Sequence, residues 1–117
     1  MENETAILAL AALAQNTRLE VFRLLVRHEP EGLPAGEIAR TLVVPANTLS
    51  AHLNLLSHAG LVRGERRSRS IVYRAELSRL SELASFLIED CCGGRAELCA
   101  PPLAESPCCP DKAHAND

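Results

Sequence analysis

Between Pro34 and Arg74 the chain changes its hydrophobic period, and that change restricts the fold more than any other feature. Pro34 stands where a first helical turn accepts proline, and Glu37, Ile38 and Leu42 continue a short helix that Val43-Val44-Pro45 closes. A longer helix is predicted from about Ala46 to His58, with Gly60 stopping it. From Leu61 onward two short β-prone runs, Leu61–Arg63 and Ile71–Arg74, flank a polar, Gly-containing, arginine-rich tip, which reads as a hairpin. Short helix, tight turn, longer helix and hairpin in that order predict a winged helix-turn-helix.

The flanking segments are helical as well. Ile7, Leu10, Ala11 and Ala14 recur at helical spacing over Glu4–Ala14, with Leu8 and Leu13 widening the apolar surface until it needs cover on two sides. A second helix runs from about Thr17, at the N-cap or in the first turn, to His28, and Pro30 and Gly32 end it. A last helix from about Leu77 to Asp90 carries Leu77, Leu80, Ala84, Leu87 and Ile88 on a face broad enough to require a partner. Apolar residues make up 47% of the chain but aromatics only 3%, so the core is built from Leu, Ala, Val and Ile, a mixture that favours helices. The expected fold class is therefore mainly α with a small β-hairpin. At 117 residues the chain has room for one core. The expected division is a domain over 1–92 and a tail over 93–117, where Gly93-Gly94, four prolines and the lack of apolar period argue against packing.

Neither Ala6–Ala14 nor Leu83–Ile88 approaches the roughly 20 apolar residues of a membrane span. The acidic start Met-Glu-Asn-Glu is unlike a secretory signal, so a cytoplasmic location and no membrane partner are expected. Five cysteines in a reducing compartment read as thiols or metal ligands before disulfides. The net charge of −3 conceals a local excess: residues 61–88 carry +3, whereas 1–60 carry −2 and 89–117 carry −4. Attraction to phosphate follows such a patch rather than the sum.

On the longer helix, Leu49, Leu53 and Leu56 fall on one side, and Asn47, Ala51, Asn54 and His58 on the other, flanked by Thr48 and Ser50. That small polar face suits the major groove, about 12 Å wide: Asn reads adenine, Ser and Thr reach bases or phosphate, and Ala meets a thymine methyl. An ordinary solvated face is the bland alternative. The hairpin that follows, with Arg63, Arg66, Arg67 and Arg69, favours double-stranded DNA, the arginines anchoring to phosphate or the minor groove. His52 lies nearer the apolar side, and phosphate contact and a half-buried, locally bonded ring both remain open for it.

Leu13-Ala14-Gln15-Asn16-Thr17-Arg18-Leu19, Ser50-Ala51-His52-Leu53, His58-Ala59-Gly60-Leu61-Val62 and the arginine-rich wing ending in Tyr73 resemble the ArsR family of metalloregulatory repressors over about residues 6–90. The resemblance implies a homodimer paired through first and last helices, with two recognition helices on an operator of inverted half-sites. Asn16 stands where the family often has Pro, and Ala51 where a larger polar residue is common. The Cys-X-Cys pair often found on the family's first helix-turn-helix helix is absent from Glu37–Thr41, and residues 76–90 hold no zinc-binding histidine. Tail cysteines are the remaining sensory candidate.

Cys91 and Cys92 follow the last helix, and Cys99 lies seven residues beyond Cys92 across Gly93-Gly94. Neighbouring helical residues point about 100° apart, so two adjacent thiolates converge on one ion only where the helix gives way, as the glycine pair allows. Trivalent arsenic takes about three soft sulfur ligands, and Cys91, Cys92 and Cys99 supply that set for As(III) as inducer. Antimonite and methylated arsenicals are equally thiophilic alternatives. Cys108-Cys109 could replace or supplement Cys99, at the cost of ordering a longer loop. The expected function is thus a DNA-binding repressor released by a thiophilic metalloid, with a thiol-based redox regulator of the same fold as alternative. An enzyme is not expected, because Cys-X-X-Cys, a nucleophile–base pair and a glycine-rich phosphate loop are all missing.

Overall fold

The computed structural model describes residues 1–88. Five helices, α1 (Asn3–Leu13), α2 (Asn16–Arg27), α3 (Ala35–Leu42), α4 (Ala46–His58) and α5 (Leu77–Ile88), accompany three short strands, β1 (Leu33–Pro34), β2 (Val62–Arg67) and β3 (Ser70–Ala75). This is a winged helix-turn-helix. The sheet is antiparallel in the order β1-β3-β2, with Val62 opposite Ala75, Arg67 opposite Ser70 and Leu33 opposite Tyr73. The chain divides into a compact unit over Glu2–Arg79 and a second that includes Met1 and begins at Leu80.

Periodicity accounts for the core of the first unit. Val21, Phe22, Leu24 and Leu25 of α2, Ile38 of α3 and Leu49, Leu53 and Leu56 of α4 are all buried, each as one stripe of an amphipathic helix. Leu61, Val62, Val72 and Ala75 close the core from the base of the wing. Full burial of a Leu or Ile side chain is worth roughly 1.5–3 kcal/mol, so the three α4 leucines fix which face of that helix is left outside. On α1 the buried side chains are small, Ala6, Ala9 and Ala12, while Ile7, Leu8 and Leu10 are 56%, 42% and 40% exposed. In the second unit Leu83 is buried and Leu87 is 54% exposed.

The helix ends follow local chemistry. Gln15 caps α2, its Oε1 accepting from the Arg18 amide at 2.8 Å, which leaves Thr17 in the first turn. After α4, Gly60 adopts φ +78°, and the bonds Leu61 N to Leu56 O (3.0 Å) and Gly60 N to Ser57 O (3.0 Å) form a Schellman closure. That closure turns the chain directly into β2. Gly32 is equally constrained: at φ +75° a Cβ would sit 2.5 Å from the Tyr73 carbonyl oxygen, so the chain can approach β3 only without a side chain there.

Two sequence expectations are corrected. β2 runs to Arg67 rather than ending at Arg63, because the ladder pairs backbone groups and tolerates charged side chains that alternate between faces. Consequently Gly64 lies within the strand, and the turn is only Ser68-Arg69, with Ser68 at the positive φ (55°) that two-residue hairpins use at their first position. Pro34, expected inside the first helical turn, instead belongs to the edge strand β1 and caps α3, where its missing N–H costs no ladder bond.

Candidate nucleic-acid interface

The turn before α4 is tight. Val43 closes α3 in the left-handed region (φ 54°), a conformation that costs a non-glycine residue about 1–2 kcal/mol, and its side chain is 87% exposed. The Val44 amide bonds the Ala39 carbonyl at 3.0 Å, and Pro45 then starts α4.

With Leu49, Leu53 and Leu56 inward, α4 presents Asn47, Thr48, Ser50, Ala51 and Asn54 to solvent, as the helical wheel predicts. Their chemistry differs. The Asn47 Oδ1 accepts from the Thr48 amide at 2.9 Å, whereas the Asn54 amide has no side-chain partner among the described residues. Bidentate recognition of adenine needs both the oxygen and the nitrogen of an Asn, so Asn54 is the better equipped of the two.

His52 is half-buried, and its Nδ1 lies 3.3 Å from Arg18 Nη1 on α2. Since guanidinium only donates, Nδ1 accepts, and the ring N–H sits on Nε2. Arg18 also donates from Nε to the Ala12 carbonyl at 2.6 Å, in the last turn of α1. One side chain therefore spans α1, α2 and α4.

The wing arginines divide into two groups. Arg63 Nε bonds Glu65 Oε2 at 3.1 Å and its Nη1 bonds Glu76 Oε1 at 2.9 Å. Arg67 reaches Glu65 Oε1 at 2.8 Å and the Glu31 carbonyl at 3.1 Å. Arg66 and Arg69 have no protein partner among the described residues. Behind the wing, Arg74 grips both carboxylate oxygens of Glu29 (2.8 and 3.2 Å), tying β3 to the segment after α2. The Arg74 hydrogen bonds hold the Glu29 carboxyl below its usual range against the opposing effect of desolvation, and Glu65 is lowered mainly by its bond from Arg67. Sequence reasoning left Glu65, Glu29 and the Arg18 bridge without roles. For Glu65 a signal was present: Arg63, Glu65 and Arg67 alternate at period two and so share one face of a strand.

Cys91, Cys92 and Cys99, like the boundary between 92 and 93, lie outside the described residues. Among those described, no group of His, Cys, Asp and Glu could hold a metal ion, and no helix is long and apolar enough to cross a membrane.

Residues 13–65 match a helix-turn-helix domain family. An ArsR-like transcriptional regulator from Rhodococcus sp. RHA1 is similar in structure at TM-score 0.66 and 32% identity, the match covering 72% of this chain and 76% of that one. The chain belongs to the ArsR family of transcriptional regulators. Members of this family are DNA-binding regulators rather than enzymes. The homodimeric winged helix-turn-helix DNA-binding domain (fragment 1–100) Mb0332 from Mycobacterium bovis, a possible ArsR-family regulator, is 26% identical with TM-score 0.60 over 74% of this chain and 81% of that one. A possible transcriptional regulator for arsenical resistance matches at 26% identity and TM-score 0.59, covering 68% and 79%. No curated protein matches the chain.

Proposed function

We propose that a homodimer of this chain occupies an operator of inverted half-sites and represses transcription, and that trivalent arsenic bound by Cys91, Cys92 and Cys99 lowers its affinity for DNA. The observation that carries the DNA half is α4 itself, whose Leu49, Leu53 and Leu56 are buried and whose Asn47, Thr48, Ser50, Ala51 and Asn54 are exposed beside a wing bearing Arg66 and Arg69. Asn54 and Ser50 read base edges, Ala51 meets a thymine methyl, and the wing anchors to phosphate. His52 acts by holding α4 to Arg18, with its Nε2–H available for a phosphate oxygen.

The sensory half rests on donor chemistry. Three cysteines within nine residues of sequence, following α5 along the chain, match the soft, three-coordinate preference of As(III), and a similar structure is described as a possible regulator for arsenical resistance. Drawing Cys91 and Cys92 together displaces the end of the last helix and changes the spacing of two recognition helices that must meet half-sites about 34–36 Å apart.

The test is arsenite titration of the protein–operator complex across Cys→Ser variants. Wild type is expected to release DNA, Cys91→Ser/Cys92→Ser to bind operator and ignore arsenite, and Cys108→Ser/Cys109→Ser to respond as wild type does. Release of the Cys91/Cys92 double variant at the wild-type arsenite concentration overturns the sensory assignment. Release by peroxide with no response to arsenite replaces it with an oxidation switch.

A further inference from the structure

The four wing arginines are unequal because one carboxylate stands among them. Strand alternation places Arg63, Glu65 and Arg67 on one face of β2, with Arg74 across from Arg63 on β3. Glu65 accepts from Arg63 through Oε2 and from Arg67 through Oε1, and Arg74 Nη1 lies 3.6 Å from its Oε2. The same arginines reach Glu76 and Glu29, so three guanidiniums meet three carboxylates and the row is electrically balanced. Arg66 projects from the other face of β2, and Arg69 sits in the turn. The local positive charge of the wing is therefore presented by two residues and not by four.

We propose that Glu65 is a selectivity-determining residue of the DNA contact: by holding Arg63 and Arg67 it withholds them from phosphate and leaves discrimination to the bases that α4 reads. The proposal rests on the DNA-binding reading above. A guanidinium already bonded to a carboxylate must surrender that pair before it meets a phosphate, and the carboxylate repels the same phosphate. Sequence-independent affinity grows with each phosphate neutralised, and its salt dependence steepens by about 0.9 per contact on a log–log plot. Withholding two arginines thus flattens that dependence by up to about two. It weakens binding to every duplex, and the operator keeps the advantage of its base contacts.

Glu65→Gln keeps the shape and one acceptor oxygen while removing the charge. Full-length protein is titrated with a duplex enriched from random sequence by wild-type binding and with a scrambled duplex of equal length, over a salt series. For Glu65→Gln, affinity for the scrambled duplex is expected to rise about tenfold, the salt slope to steepen by one to two, and the ratio of selected to scrambled affinity to fall severalfold. Glu20→Gln, the same charge change at an exposed position of α2, is expected to move the ratio little. Adding Arg63→Gln and Arg67→Gln to Glu65→Gln returns the slope to that of wild type. An unchanged slope in Glu65→Gln, weaker binding to both duplexes, or an equal effect from Glu20→Gln overturns the proposal. Wild type that binds no duplex overturns the DNA-binding reading along with it.

Discussion

Arg18 divides one guanidinium between two helices other than its own. Its Nε meets the Ala12 carbonyl at 2.6 Å, one of the carbonyls left unpaired in the last turn of α1, where a cation is also favoured by the helix dipole. Its Nη1 meets His52 Nδ1 at 3.3 Å. Removing it leaves a carbonyl and a half-buried imidazole without partners, so Arg18→Ala is expected to destabilise by about 1.5–3 kcal/mol, the range of hydrogen bonds from a charged donor. Arg18→Lys recovers only part of that, because a single ammonium lacks the fork that spans two acceptors. His52→Ala alone costs less, since the Ala12 bond survives. Denaturant unfolding of both single variants and the double variant should give a coupling energy of about 0.5 kcal/mol or more. Strict additivity would mean that the 3.3 Å contact contributes nothing and that His52 is held by packing alone.

Among the elements, α4 was legible from the sequence and the wing only in part, for a physical reason. The period of Leu49, Leu53 and Leu56 states which side of α4 is buried, and the exposed candidates at Asn47, Thr48, Ser50, Ala51 and Asn54 follow by subtraction. A strand whose alternation is written in charge, as in Arg63-Gly64-Glu65-Arg66-Arg67, carries no hydrophobic signal, and the β-prone run Leu61–Arg63 ends four residues short of the strand's own end. β1 is two residues long and exists only because Leu33 and Pro34 lie beside Tyr73 and Val72, a tertiary fact. The clamp that secures this corner, Glu29 with Arg74, joins residues 45 positions apart and was invisible for the same reason. It makes a pH prediction. Because the folded-state pKa of Glu29 lies below its ordinary value of 4.5, its contribution to stability is fully present above that value and is lost as pH falls towards the folded pKa. Wild type should therefore exceed Glu29→Gln in thermal midpoint near neutral pH, with the gap closing as pH falls below 4.5 and through the lowered pKa of Glu29. A gap that persists unchanged at the acid end would show that Gln loses packing rather than charge.

At the scale of the whole molecule, α1 poses the question that one copy of the chain leaves open. Its buried face is made of alanines, and its large side chains Ile7, Leu8 and Leu10 are on the outside, an arrangement that wastes apolar area in a monomer. In the proposed homodimer a second copy supplies the cover, and that dimer joins two α4 helices into one ligand for two half-sites. Linking two binding events raises apparent affinity by about 10²–10⁴ without any new contact to DNA. Ile7→Glu with Leu10→Glu should therefore yield a monomer by sedimentation. Its helical content should be kept, because Ala6, Ala9 and Ala12 still face inward and both substituted sites are solvent-exposed. Operator affinity should fall by a factor in that same range, and affinity for an isolated half-site much less. If the variant sediments as a dimer, the exposed face of α1 is not what pairs the subunits. If it is monomeric yet binds the full operator as wild type does, the two half-sites are not read together, and the spacing argument for release by the ligand falls with that result.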